Sequence, residues 1–96
     1  MAEPLILAEA KQDYAEALSW YADRSPQAAL GFEAEFERAI QMIEQYPQVC
    51  ARCDRQHRYY LMRRYPYQVI FREQPQGGLI VAVAHAKRRP GYWHGR

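Results

Sequence analysis

The run Val83-Ala84-His85-Ala86-Lys87-Arg88-Arg89-Pro90-Gly91-Tyr92-Trp93 brings an imidazole, three cations and a phenol close together, directly after the apolar stretch Leu79 to Ala84. An imidazole titrates near neutral pH, so it can accept or donate a proton, while guanidinium groups can carry charge growing on a phosphate. Cleaving RNA without a metal needs a base for the 2′-OH, an acid for the leaving oxygen and cations around the phosphorus. The sequence has a candidate for each role. His85 serves as base or acid, Tyr92 positions or donates a proton, and Arg88 and Arg89 clamp the phosphate. Arg58, Arg63, Arg64 and Lys87 add phosphate contacts. The competing reading makes His85 a satisfied histidine at a strand edge and Tyr92-Trp93 an aromatic lid.

Cys50-Ala51-Arg52-Cys53 followed by His57 has the spacing C-x2-C-x3-H. A structural zinc site takes four ligands and this loop offers three, so the fourth would have to come from His85, His94 or another chain. A redox CxxC sits at a helix start, whereas these cysteines fall between a predicted helix and a predicted strand. Two unpaired thiols are the expectation for a reducing compartment, with no metal and no cofactor assigned.

These residues need a frame to position them. The apolar run Pro4 to Ala8 predicts a first strand. Ala10, Tyr14, Ala17, Leu18 and Tyr21 share one face of a helix over Glu9 to Asp23, with Lys11, Asp13, Glu16 and Asp23 mostly elsewhere. Ser25-Pro26 is a helix start, with serine as N-cap and proline at the first position. A second helix runs from there to about Tyr46, stopped by Pro47, with Glu33, Glu35, Glu37 and Glu44 facing outward as a solvated surface. So short a break implies an antiparallel helical hairpin. Gln48 to Gln56 reads as loop. Arg58 to Arg63, Tyr67 to Arg72 and Leu79 to Ala86, separated by Tyr65-Pro66 and by Gln74 to Gly78, predict a three-stranded antiparallel meander.

The expected fold is therefore α+β in the order β-α-α-β-β-β, with the hairpin packed on one face of a small, mainly antiparallel sheet and the other face freer for a partner. On the last strand the larger set, Leu79, Val81, Val83 and His85, should meet the helices. Length allows one domain over residues 1–96, and 14% aromatic content suggests that Tyr, Phe and Trp supply much of its core. No membrane-length apolar stretch occurs, and the Met-Ala-Glu-Pro start lacks a signal-peptide pattern, so a cytoplasmic protein is expected.

The formal charge of +2 hides an asymmetry. Residues 1–48 hold nine acids against three bases, and residues 49–96 hold ten bases, nine of them arginine, against two acids. Arginine binds phosphate or carboxylate through two parallel hydrogen bonds, so the second half should face an anion, either nucleic acid or an acidic protein segment.

The break from Trp20-Tyr21 to Arg24-Ser25-Pro26, the turn Arg63-Arg64-Tyr65-Pro66-Tyr67, and Val83-Ala84-His85 followed by Arg88-Arg89-Pro90 and Tyr92-Trp93 resemble the RelE/ParE superfamily of type II toxin–antitoxin toxins. The resemblance spans nearly the whole chain. It implies a small plasmid-stabilisation toxin silenced by a cognate antitoxin that wraps it, either as a homodimer or within a toxin–antitoxin heterotetramer. RelE-like members cut mRNA on the ribosome without a metal, and ParE-like members block DNA gyrase by protein binding. The lysine-rich active surface of the best-known RelE type has no counterpart, the only lysines being Lys11 and Lys87. Other ribosome-dependent members use a histidine near the last strand with arginines and a terminal tyrosine, at places comparable to His85, Arg88 or Arg89, and Tyr92. The resemblance thus leads first to a ribosome-dependent mRNA endoribonuclease that inhibits translation. A gyrase inhibitor, or an inactive homologue that only binds antitoxin, is the alternative.

Overall fold

The computed structural model describes residues 4–96. Two helices lie on one face of a five-stranded sheet. The elements are β1 (Leu5–Ile6), α1 (Ala8–Arg24), α2 (Pro26–Gln45), a 3-10 turn (Pro47–Val49), β2 (Ala51–Arg52), β3 (Arg58–Leu61), β4 (Tyr67–Gln74) and β5 (Gly77–His85). Sheet order is β1-β5-β4-β3-β2, with β1 parallel to β5 and the other pairs antiparallel. The α+β architecture is the one expected, with a short edge strand added. Among the described residues no helix is long and apolar enough to cross a membrane.

The helical hairpin forms for the reason its sequence states. Ser25 ends α1 by donating its backbone N–H to Tyr21, and its side chain then caps α2 by accepting from the Ala28 N–H at 3.2 Å. Phe32, on the inner face of α2, stacks against Tyr14 and Tyr21 of α1 and meets Tyr65 and Tyr67 edge-on, at centroid separations of 5.3–5.6 Å. Gly31 makes this approach possible. The Tyr65 hydroxyl crosses directly over it to donate to the Ala28 carbonyl at 2.9 Å, and a Cβ on Gly31 would collide with that oxygen.

Several expectations about the elements need correction. The first strand is two residues long, because Leu7 donates its N–H to Ile80 and its carbonyl immediately accepts from Lys11, starting α1. The stretch read as loop contains β2, which pairs Ala51 with Tyr59 and Arg52 with Arg58. A two-residue strand held only by its neighbour leaves no period to detect. The facing of β5 also differs. A register shift between Ile70 and Phe71 lets Val69 pair with Val83 while Phe71 pairs with Ile80, so strict alternation fails there. Ile80 and Val83 consequently join the core under the helices, while Leu79, Val81, Ala82 and Ala84 join Ile70 and Trp93 in a second cluster. The second sheet face is thus not left free. The chain's own tail covers part of it.

Candidate functional site

Tail and sheet are sewn together at Asp13. Ala10, Asp13 and Ala17 are the buried residues of α1, a spacing of three and four that places the carboxylate on the inner stripe. Beyond Ile80, β1 no longer accompanies β5, and side chains occupy the bare strand edge instead. One Asp13 oxygen accepts from the Val83 N–H at 3.1 Å, the Tyr92 hydroxyl at 3.0 Å and Arg96 Nη1 at 2.8 Å. Arg96 also donates to the Val81 carbonyl at 3.1 Å. Its guanidinium and that of Arg88 lie against the Tyr92 ring, at 5.0 and 3.7 Å from the centroid, and Arg88 stands 3.9 Å from the other Asp13 oxygen. An acid, a phenol and a guanidinium therefore do for this edge what a neighbouring strand would do.

A second tie holds the tail at the loop before β3. Asp54 accepts from the N–H groups of Gln56 and His57, from His57 Nδ1 at 3.0 Å, and from His94 Nε2 at 3.3 Å. These donors, the Gln56 N–H first, keep its carboxyl well below the usual carboxylate range. The His57 ring is buried against Trp93, with centroids 4.7 Å apart, and its Nε2 faces Arg72 Nη1 at 3.3 Å. Gly91, at φ 73°, lets the tail fold back so that His94 donates its N–H to the Gly91 carbonyl.

This geometry reassigns the cysteine–histidine motif. Cys50 packs in the core under the helices, Cys53 lines the cleft beside the tail, and both His57 nitrogens have protein partners. Burial pushes both thiols up from their ordinary values. Among the described residues no group of three or more His, Cys, Asp or Glu side chains is placed to hold a metal ion.

His85, Arg88, Arg89 and Tyr92 all line one cleft of about 350 Å³ at the end of β5. Ala86 donates its N–H to the Pro66 carbonyl at 2.7 Å, so this strand end runs beside the turn carrying Arg63 and Arg64. Lys87, exposed, follows in the same turn. Arg64 sits at φ 69°, a left-handed backbone that a branched or long side chain adopts only when its surroundings hold it. Arg58 is not in this group. It lies at the other end of β3, donating to Glu73 at 2.8 Å and to the Cys50 carbonyl at 2.8 Å.

The proton-handling pair is less free than its sequence suggests. His85 Nδ1 accepts the Lys87 backbone N–H at 3.0 Å, and the ring stands edge-on to Tyr67 at 4.9 Å. A neutral ring so held carries its proton on Nε2, so its outer nitrogen offers a donor and no lone pair. The Tyr92 hydroxyl points away, to Asp13. Burial first, then the Asp13 charge and hydrogen bond, push this phenol from 10.0 up to about 12.

The folded state thus favours neutral Tyr92, and that contribution is complete below pH 10 and lost between pH 10 and about 12. Because the phenol is only half-buried, solvent screening holds the effect to about 1–2 kcal/mol. Urea midpoints measured across this range should fall for the parent and run flatter for Tyr92→Phe. Equal slopes would contradict the assignment.

Other contacts escaped sequence reasoning. Glu35, expected on the outer face of α2, is buried, accepting the Arg63 N–H at 3.1 Å and pairing with Arg38 at 3.3 Å. It fastens the arginine turn to the hairpin. Asp13 had one legible signal, its spacing between Ala10 and Ala17. Asp54 and Arg96 had none.

Two helices on a mainly antiparallel sheet, with a basic pole at the end of the last strand, make a small α+β domain of RelE/ParE-like architecture. A family model for the ParE toxin of the type II toxin–antitoxin system, parDE, matches residues 5–90, and the chain belongs to that family. The chain is also similar to a solved structure described as the chromosomal ParDE toxin–antitoxin system from P. aeruginosa. The TM-score is 0.77 and the identity 18%, over 91% of this chain and 98% of that one. No curated protein sequence matches it.

Proposed function

We propose that this chain is the toxin of a two-protein module, that it acts in the cytoplasm by binding DNA gyrase, and that a cognate antitoxin holds it silent. This is the second of the two activities that the resemblance implies, and the family match over residues 5–90 carries it. The local chemistry favours it over ribosome-dependent mRNA cleavage. Cleavage with His85 as base, the first of its two roles drawn from the sequence, needs a free lone pair on its outer nitrogen and a phenol free to position or donate. His85 presents an N–H at its outer nitrogen, and Tyr92 is tied to Asp13.

In this reading His85, Lys87, Arg88 and Arg89, with Arg63 and Arg64 from the adjoining turn, form a recognition pole for an acidic surface. Arginine forks and an imidazole N–H suit carboxylates as well as phosphates. The test sets two reactions side by side. Purified protein should inhibit gyrase supercoiling and leave mRNA intact in a translating extract, with His85→Ala weakening the inhibition in part, by one neutral hydrogen bond, and Arg89→Glu losing it. Codon-phased mRNA cleavage that disappears in His85→Ala would overturn the proposal in favour of the nuclease. Loss of neither process would point to an inactive homologue that only binds antitoxin.

A further inference from the structure

A second arginine cluster lies at the opposite end of the sheet. Arg52 of β2, Arg55 of the following loop and Arg72 of β4 line an open cleft of about 620 Å³ together with the Arg58–Glu73 pair. Register places this cleft far from the His85 pole: Arg58 pairs with Phe71, whereas His85 pairs with Tyr67 at the other end of β4. Arg58 is neutralised by Glu73, but among the described residues Arg52, Arg55 and Arg72 have no side-chain carboxylate within salt-bridge distance.

The cluster is also preorganised. Arg52 Nη1 donates to the Arg55 carbonyl at 3.2 Å, closing the loop over itself. Arg72 Nη1 faces His57 Nε2 at 3.3 Å and donates to the Arg96 backbone oxygen at 3.4 Å. Three arginines that are in no side-chain ion pair therefore line one cleft. The remaining lining is Gln56 and Gln74, so the cleft offers hydrogen-bond donors and no apolar or aromatic side chain.

That composition selects among anions. An acidic peptide gains most of its affinity by seating apolar anchors in a pocket, and a single-stranded nucleic acid by stacking bases on aromatic rings. Neither has a foothold here. The phosphate backbone of a duplex needs only positioned cations and polar donors. We propose that Arg52, Arg55 and Arg72 form a second binding site, for the phosphate backbone of double-stranded DNA, which holds the protein on DNA without reading sequence. The site is separate from the His85 pole, and its test requires no gyrase.

Anisotropy of a labelled duplex of about 20 base pairs should show binding at low salt that weakens as salt rises. The slope of log K against log salt should be about −3 for three neutralised phosphates. Arg52→Glu/Arg55→Glu changes two exposed side chains, so circular dichroism and the urea midpoint should be those of the parent. This variant should bind at least about tenfold more weakly at about 50 mM salt, its slope reduced by about 2. Lys87→Glu/Arg89→Glu should retain most of the duplex affinity. The proposal is overturned if the first variant binds like the parent, if the second alone abolishes binding, or if the parent shows no duplex binding at low salt. Equal or tighter binding of polyglutamate or of single-stranded DNA would overturn it too.

Discussion

Asp13→Ala is expected to lower the unfolding free energy by about 3–5 kcal/mol, because it removes one partner from a buried, charged hydrogen-bond cluster. The Asp13 side chain is 4% exposed and the Arg96 side chain 16% exposed. Without the carboxylate, the Arg96 guanidinium, the Tyr92 hydroxyl and the Val83 N–H must each find water or stay unpaired. The Asp13 hydrogen bond, and then its charge, also hold the Arg96 side chain more firmly protonated than usual. By contrast the Arg38–Glu35 pair has its arginine 56% exposed and should contribute under about 1 kcal/mol. Urea unfolding measures the loss. In a Trp20→Phe background, Trp93 fluorescence should shift to the red in Asp13→Ala before the main transition, as the tail leaves the sheet. Asp13→Asn keeps an acceptor but no charge for Arg96, and should fall between. A loss under about 1 kcal/mol would mean that the carboxylate is not what fastens the tail.

The family match ends at residue 90, whereas the groups that close the tail, Tyr92, Trp93, His94 and Arg96, follow it. The domain architecture and the tail fastening are therefore distinct layers of the molecule. One comes from periodicity along each segment and the other from meetings between distant residues. Ser25-Pro26 announced the helix break because capping and a missing N–H act within one turn of chain. His85 and the arginines beside it were legible because strand end and tail are contiguous. Asp13 was assigned away from the core because a charge on a helix reads as solvated until its partner arrives, and Arg96 lies 83 residues away. Arg58 was placed with Arg63 by nearness in sequence, yet four residues of extended β3 and its antiparallel partner put the two at opposite ends. The facing of Leu79 and Val81 was lost to one bulge in β5, where Val81 is an extra residue between Ile80 and Ala82, and this becomes visible only against the register of β4.

Phe32→Ala should rival Asp13→Ala, at about 3–5 kcal/mol, for a different reason. The ring is fully buried and touches four aromatic neighbours, so truncation leaves a cavity whose walls, Tyr14, Tyr21, Tyr65 and Tyr67, are fixed from both layers. A domain of this size has about 5–15 kcal/mol in total, so the variant should unfold at much lower urea, with Phe32→Leu losing clearly less. A loss under about 2 kcal/mol would mean that the layers collapse to fill the hole. The position also reaches the recognition pole. Tyr65 belongs to the turn of Arg63 and Arg64, and Tyr67 supports the His85 ring edge-on. Under cold conditions where circular dichroism shows Phe32→Ala still folded, its inhibition of gyrase should already be weakened, since the platform beneath those cations has loosened. Arg89→Glu separates the two causes, because that exposed side chain should abolish inhibition with the urea midpoint unchanged. If Phe32→Ala inhibits fully whenever it is folded, the pole does not depend on the aromatic layer below it.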